Sequence, residues 1–105
     1  FDKALELIQV LDNSDNPMVR VKSVFSRALI SYLQKDYDNA MKDFLRIRYV
    51  FTEYNDIRWD SEYYICKIYL EKNETEQAHE LYKQIKDKLK VNQTEELNQL
   101  MTGGR

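Results

Sequence analysis

Three eleven-residue segments, 1–11, 37–47 and 75–85, lie over one another without gaps. Each carries a small alanine, a large residue four positions later and an apolar residue three beyond that: Ala4, Ile8, Leu11; Ala40, Phe44, Ile47; Ala78, Tyr82, Ile85. Positions i, i+4 and i+7 share one face of a helix, so the pattern predicts three amphipathic helices with equivalent stripes. The alanines are 36 and 38 residues apart. A period in that range predicts helical hairpins stacked in an array.

The partner helices fall between the stripes. Ser14-Asp15-Asn16-Pro17 reads as a turn, with Asn16 as N-cap and Pro17 at the first helical position, where its missing N–H costs nothing. The helix it opens runs to about Gln34, with Val21, Val24, Phe25, Ala28, Tyr32 and Leu33 at helical spacing. Lys35-Asp36 turns the chain into a helix from about Tyr37 to Phe51, which Asp36 caps. Asn55-Asp56 resets it, and Trp59, Ile65, Cys66, Tyr69 and Leu70 mark another helix ending near Lys72. Asn73 with Glu76 three residues on reads as a capping box for the helix carrying Ala78, Leu81, Tyr82, Ile85 and Leu89. Lys86, Lys88 and Lys90 suit its negative pole. Thr94-Glu95-Glu96 caps a last short helix with Leu97, Leu100 and Met101, and residues 102–105 are expected to fray. Helix should thus cover roughly 75 to 80% of the chain, in five main helices plus a short terminal one, with no sheet. Ala28, Ala40, Phe44, Cys66, Tyr69, Ala78 and Tyr82 are predicted to be buried where the helices of a hairpin meet.

Composition agrees with helices. Two Gly and one Pro among 105 residues are fewer turn residues than a barrel or sandwich of short strands requires. Hydrophobic residues at 43% can build a core, and charged residues at 32% can solvate its outside. A net charge of −2 lacks the basic excess that phosphate backbones or anionic lipids select. The single cysteine, Cys66, excludes an internal disulfide framework and a multi-thiolate zinc site. No apolar run is long enough for a transmembrane helix or a secretory leader. The chain opens on Phe rather than Met, which a piece cut from a longer protein would explain, and its location stays open between cytoplasm and bacterial envelope.

A small residue in the first helix, the turn Lys35-Asp36-Tyr37-Asp38, then Ala40 and Phe44 resemble the tetratricopeptide repeat (TPR) family, and Cys66, Tyr69, Asn73-Glu74, Ala78 and Tyr82 match it again. The resemblance covers residues 18–89 and, at 1–11, the second helix of an earlier repeat. It departs from the family where Lys35 and Asn73 replace the usual Gly, where the proline after the second helix is absent, and where one connection exceeds the usual repeat of about 34 by about four residues. That longer connection, the aromatic stretch 49–55, is similar to those of bacterial envelope TPR proteins. The resemblance implies an all-α fold: a right-handed α-solenoid of stacked antiparallel helix hairpins, about two and a half repeats plus a C-terminal capping helix. Its parts in one domain would be a second helix at 1–13, repeats at 17–54 and 56–90, a cap at 94–101 and a tail at 102–105. Small residues such as Ala28, Cys66, Ala40 and Ala78 sit where two backbones must approach closely.

Function on such a scaffold belongs to the concave face that first helices line. The resemblance places Lys22, Phe25, Leu29, Tyr32 and Leu33 there from one repeat, and Asp60, Tyr63, Tyr64, Lys67 and Glu71 from the next. Phe25, Leu29, Tyr32, Tyr63 and Tyr64 would form an aromatic groove with Lys67 on its rim, suited to a helix or peptide of a protein partner. The implied role is a non-catalytic scaffold or adaptor without cofactor. Phe25, Leu29 and Tyr63 stand where chaperone-binding TPR domains hold a terminal carboxylate with Lys, Asn and Arg, so that ligand is not expected. The competing use of the same residues is structural: packing on an upstream helix, on the C-terminal segment, or across a homodimer.

Other chemistry is sparse. Cys66 and His79 would need to meet within hydrogen-bond reach to form a thiol–imidazole dyad, but Cys66 occupies a packing slot and His79 follows Ala78 off its helix's apolar stripe. A lone His lacks companions at metal-ligand spacing. Arg46, Arg48 and Arg58 with Tyr49, Tyr54 and Trp59 offer an alternative reading, RNA or single-stranded nucleic acid held by stacking and phosphate pairing. Asp43, Glu53, Asp56 and Asp60 interrupt that set. A spacer in a longer solenoid, with no ligand of its own, is the third reading.

Overall fold

The computed structural model describes residues 2–12 and 15–102. Phe1, Ser14, the tail at 103–105 and the side chain of Leu11 lie outside the described residues. Six α-helices follow in chain order: α1 (Asp2–Asp12), α2 (Pro17–Leu33), α3 (Tyr37–Val50), α4 (Asn55–Glu71), α5 (Thr75–Ile85) and α6 (Val91–Thr102), with a 3-10 turn at Lys86–Lys88. Helix makes up 85%, and no strand occurs among the described residues. The expected short terminal helix, α6, is a full twelve-residue helix. Thr94, Glu95 and Glu96 stand inside it rather than capping it. Its start is fixed one turn earlier, where the Lys90 backbone N–H donates to Gln93 Oε1 at 3.0 Å, the reach-back half of a capping box. The helix before it is correspondingly shorter than its sequence suggested: α5 stops at Ile85, and Lys86 and Lys88 lie in the 3-10 turn.

The two central hairpins turn in the same way. At the end of α2, the Lys35 N–H donates to the Tyr32 carbonyl at 3.0 Å and the Asp36 N–H to the Ser31 carbonyl at 2.9 Å. At the end of α4, the Asn73 N–H donates to the Leu70 carbonyl at 3.1 Å and the Glu74 N–H to the Tyr69 carbonyl at 2.8 Å. Both are Schellman motifs, which need a left-handed residue after the C-cap. Lys35 and Asn73 take that conformation, with φ of 62° and 61°. Asn73 is therefore not the N-cap of α5. That position is Glu74, whose side chain makes no capping bond. The other caps are as the sequence suggested: Asn16 accepts from the Met18 N–H at 2.9 Å, and Asp36 from the Asn39 N–H at 3.4 Å.

A left-handed backbone costs a residue with a side chain roughly 1–2 kcal/mol, and glycine's freedom in the unfolded chain offsets part of the gain from removing it. Lys35→Gly is expected to raise the unfolding free energy by about 0.5–1 kcal/mol. Asn73→Gly should raise it less, since Asn tolerates this region. Urea titration reads both, and a destabilised Lys35→Gly variant would contradict the turn.

Helix α4 is the centre of the packing. It touches α3 and α5 along their lengths and also α2 and α6, and so buries Ser61, Glu62, Tyr63, Ile65, Cys66, Ile68 and Leu70 around its circumference. Ala28, Ala40, Phe44, Cys66 and Ala78 are completely buried, as expected. Tyr69 and Tyr82 are half-buried and pack against the same core. A second cluster of Val21, Val24, Ile47 and Phe51 closes the space between α2 and α3. Ala4 departs from the pattern: it is exposed, while Ile8 is buried. Helix α1 packs on α2, and no helix among the described residues meets its alanine as α2 meets Ala40 and α4 meets Ala78. The molecule is 20 Å through its thinnest dimension and 41 Å long, about two helix diameters deep. No helix of the described residues is long and apolar enough to cross a membrane.

Candidate functional site

Close approach of α2 and α4 brings together aromatic side chains that are 32 to 39 positions apart in the chain. The Tyr64 ring lies 6.2 Å from Phe25 and 5.2 Å from Tyr32, both edge-on. On its other side it stacks almost parallel on Phe44 of α3, at 5.3 Å and 3°. Tyr63 meets it edge-on at 4.9 Å, and Leu29 packs half-buried against the same cluster. All six expected residues thus belong to one continuous cluster. The expected open groove is partly filled by its own rings: Tyr63 is only 8% exposed, and Tyr64 is as much core as surface. Lys22, Leu33 and Glu71 are exposed. Asp60 accepts from Gln93 Nε2 of α6 at 3.0 Å.

Lys67 is at the middle of this face rather than on its rim. Its ammonium nitrogen is 5.5, 5.2 and 5.8 Å from the ring centroids of Tyr32, Tyr63 and Tyr64, within reach of cation–π attraction. It also pairs with Glu96 Oε2 of α6 at 2.9 Å. The Tyr63 hydroxyl donates to the other oxygen of Glu96, and Lys67 Nζ donates to the Tyr63 hydroxyl at 3.4 Å. Burial and then the bond to Glu96 push the Tyr63 phenol up to about 12. Burial likewise raises the phenols of Tyr32 and Tyr64, with Lys67 working against it. For Lys67, burial would lower the pKa, but Glu96 and the tyrosine oxygens outweigh it and hold the ammonium above its ordinary range. For Glu96, burial would raise the pKa, but Tyr63 and Lys67 outweigh it and hold the carboxyl below its usual 4.5.

Glu96 and Gln93 were not visible as part of this face in the sequence. The signal lay in their spacing: Glu96 directly precedes Leu97, which is fully buried, so its side chain leaves α6 at the edge of the core. A carboxylate held below its ordinary pKa stabilises the fold above that ordinary value and loses the contribution as pH falls through the lowered one. The thermal midpoint of the chain should therefore exceed that of Glu96→Gln near neutral pH. The gap should stay open down to 4.5 and close below it. A gap that persists unchanged in acid would show that the carboxylate charge is not what holds α6.

Cys66 and His79 do not form a working pair. The Cys66 thiol is buried and donates to the Ala78 carbonyl at 3.4 Å, whereas His79 is exposed. Burial, with Glu62 adding, pushes the thiol up to about 12. A maleimide should label Cys66 slowly in the native protein near neutral pH and rapidly in denaturant, because both access and thiolate are withheld. Fast native labelling would mean that the α4–α5 contact opens.

The three arginines of the alternative reading are not gathered in one place: Arg48 and Arg58 border the same cavity and Arg46 another. Arg48 grips both oxygens of buried Glu62 through Nε and an Nη atom, the latter at 2.8 Å. Arg46 is exposed, with its guanidinium 6.0 Å from the Phe51 ring, and lines a cavity shared with Arg27 and Asp43. Arg58 lies over Trp59 at 4.8 Å and shares a different cavity with Arg48. A second bidentate pair, Arg27 on Asp43 at 2.8 and 2.9 Å, ties α2 to α3. Comparisons with family models, with curated proteins and with solved structures found no match.

Proposed function

We propose that this chain is a non-catalytic interaction module, a right-handed TPR-like solenoid of stacked hairpins whose first-helix face receives a helix or extended peptide from a protein partner. The observation that carries the reading is that α4 touches both α2 and α6, with Lys67 of α4 meeting Tyr32 of α2 and Glu96 of α6. That is what stacked hairpins would produce, with residues from every second helix on one surface. The identical turns at Lys35 and Asn73, 38 residues apart, and the depth of two helix diameters support the same arrangement. On that surface Leu29, Tyr32 and Lys67 remain partly accessible, and amphipathic side chains that combine an apolar body with a polar tip are effective anchors.

Tyr64 is a poor probe of binding, because its ring also stacks on Phe44. Tyr32 and Lys67 are better ones. Helical peptides selected by display against the intact chain should bind Tyr32→Ala and Lys67→Met at least about tenfold more weakly by calorimetry, mostly through faster dissociation. Arg46→Ala should bind them unchanged. If no selected peptide is sensitive to Tyr32 or Lys67, the face is structural and the chain is a spacer.

A further inference from the structure

We propose a second docking site at the corner where α3 ends and α4 begins, which takes a carboxylate flanked by an apolar side chain on a partner protein. It stands apart from the first-helix face and does not depend on it. Its centre is Arg58. The guanidinium stacks over Trp59 at 4.8 Å, and its Nε, like that of Arg20, is buried without a hydrogen-bond partner. Among the described residues no carboxylate pairs with Arg58, while Arg27, Arg48, Lys67 and Lys72 each have one. A buried donor left unpaired costs free energy, and since that Nε has no surface of its own, a partner's acceptor would be met by the outer N–H groups of the half-buried guanidinium.

The surroundings state what that acceptor is. Arg58 lines a cavity of about 280 Å³ together with Arg48, Glu62, Tyr49, Trp59 and Gln84. Two guanidinium groups face one carboxylate there, and that carboxylate is already held by Arg48. One positive charge is left over. A guanidinium over an indole face can still offer its two Nη atoms to a carboxylate. Beside it the last turn of α3 exposes Tyr49 and Val50, at 70% and 64%, an apolar ledge for the neighbouring side chain of the same partner. Charge complementarity therefore selects a single acidic group next to an apolar one. A nucleic-acid backbone fits less well: one surplus cation would meet many phosphates, and Glu53 and Asp56, exposed nearby, oppose a run of phosphates more than a single carboxylate.

Trp59 is the chain's single tryptophan, so its emission reports this corner. The probes are short capped peptides containing Glu-Leu or Asp-Phe, their Gln-Leu or Asn-Phe counterparts, and oligothymidylate, each titrated into the full chain. The acidic peptides should give a saturable change in Trp59 emission, at least about tenfold tighter than their amide counterparts. Arg58→Gln should lose that preference, Arg58→Lys should keep part of it, and Tyr32→Ala should retain all of it. Equal response to acid and amide peptides overturns the proposal on the wild-type chain alone, whether or not a variant folds. So does an absent response to the acidic peptides. A response to oligothymidylate alone, falling steeply with salt, would give the corner to single-stranded nucleic acid instead.

Discussion

Replacing Glu62 by alanine should lower the unfolding free energy by about 3–5 kcal/mol. The Glu62 side chain is 4% exposed and that of Arg48 18%, and the guanidinium holds its charge at every accessible pH, reinforced here by the hydrogen bonds it donates to Glu62. Without its partner the cation is left largely buried between α3 and α4, and among the described residues it pairs with no other carboxylate. For a domain of ordinary stability, about 5–15 kcal/mol, that is a large fraction of the whole. The same pair exchanged together, Arg48→Met with Glu62→Leu, should recover most of the loss, because an apolar pair of similar volume removes the desolvation penalty along with the attraction. Urea unfolding of Arg48→Met, of Glu62→Leu and of the double variant measures the coupling directly. A double variant as unstable as Glu62→Ala would show that the site needs hydrogen bonding rather than merely an absence of unpaired charge.

That pair also marks the limit of what the sequence makes legible. Ala40, Phe44 and Ala78 were readable because a helix that packs on one side writes its contacts as a stripe, and small residues stand where backbones cross. Helix α4 is buried around most of its circumference, so no clean stripe exists to read. Glu62 and Ser61, both buried, look like ordinary solvent-facing positions until their partners are known. Asp43 is the same case: a charged residue next to Phe44 reads as the polar face, yet Arg27, sixteen positions away, draws it in. Asn73 failed for a different reason. Asparagine suits both an N-cap and a left-handed turn, and only the matching position of Lys35, a poor cap, favours the turn. The six residues of the first-helix face came from one resemblance and did fall into one cluster, but helix spacing alone gives no hint that Lys67 would be drawn to the middle of it by a carboxylate from α6.

Phe44 is where fold and face depend on each other most. It is fully buried, meets Phe25 edge-on at 5.9 Å and stacks on Tyr64 at 5.3 Å. Phe44→Ala should cost about 3–5 kcal/mol through lost transfer energy and the cavity left behind, with the aromatic pairs adding to the loss. Phe44→Leu fills much of that space and should cost less. The two variants are expected to differ in a second way. Tyr64 is held flat against Phe44, and Tyr32 and Lys67 are arranged on Tyr64. Removing the support should therefore loosen the ammonium and its tyrosines even in molecules that remain folded. Near-ultraviolet circular dichroism, dominated by these rings, should fall in Phe44→Ala at temperatures where the far-ultraviolet signal still reports full helix. Coincident loss of both signals would mean that the face has no order of its own to lose, and that the aromatic cluster melts only with the fold.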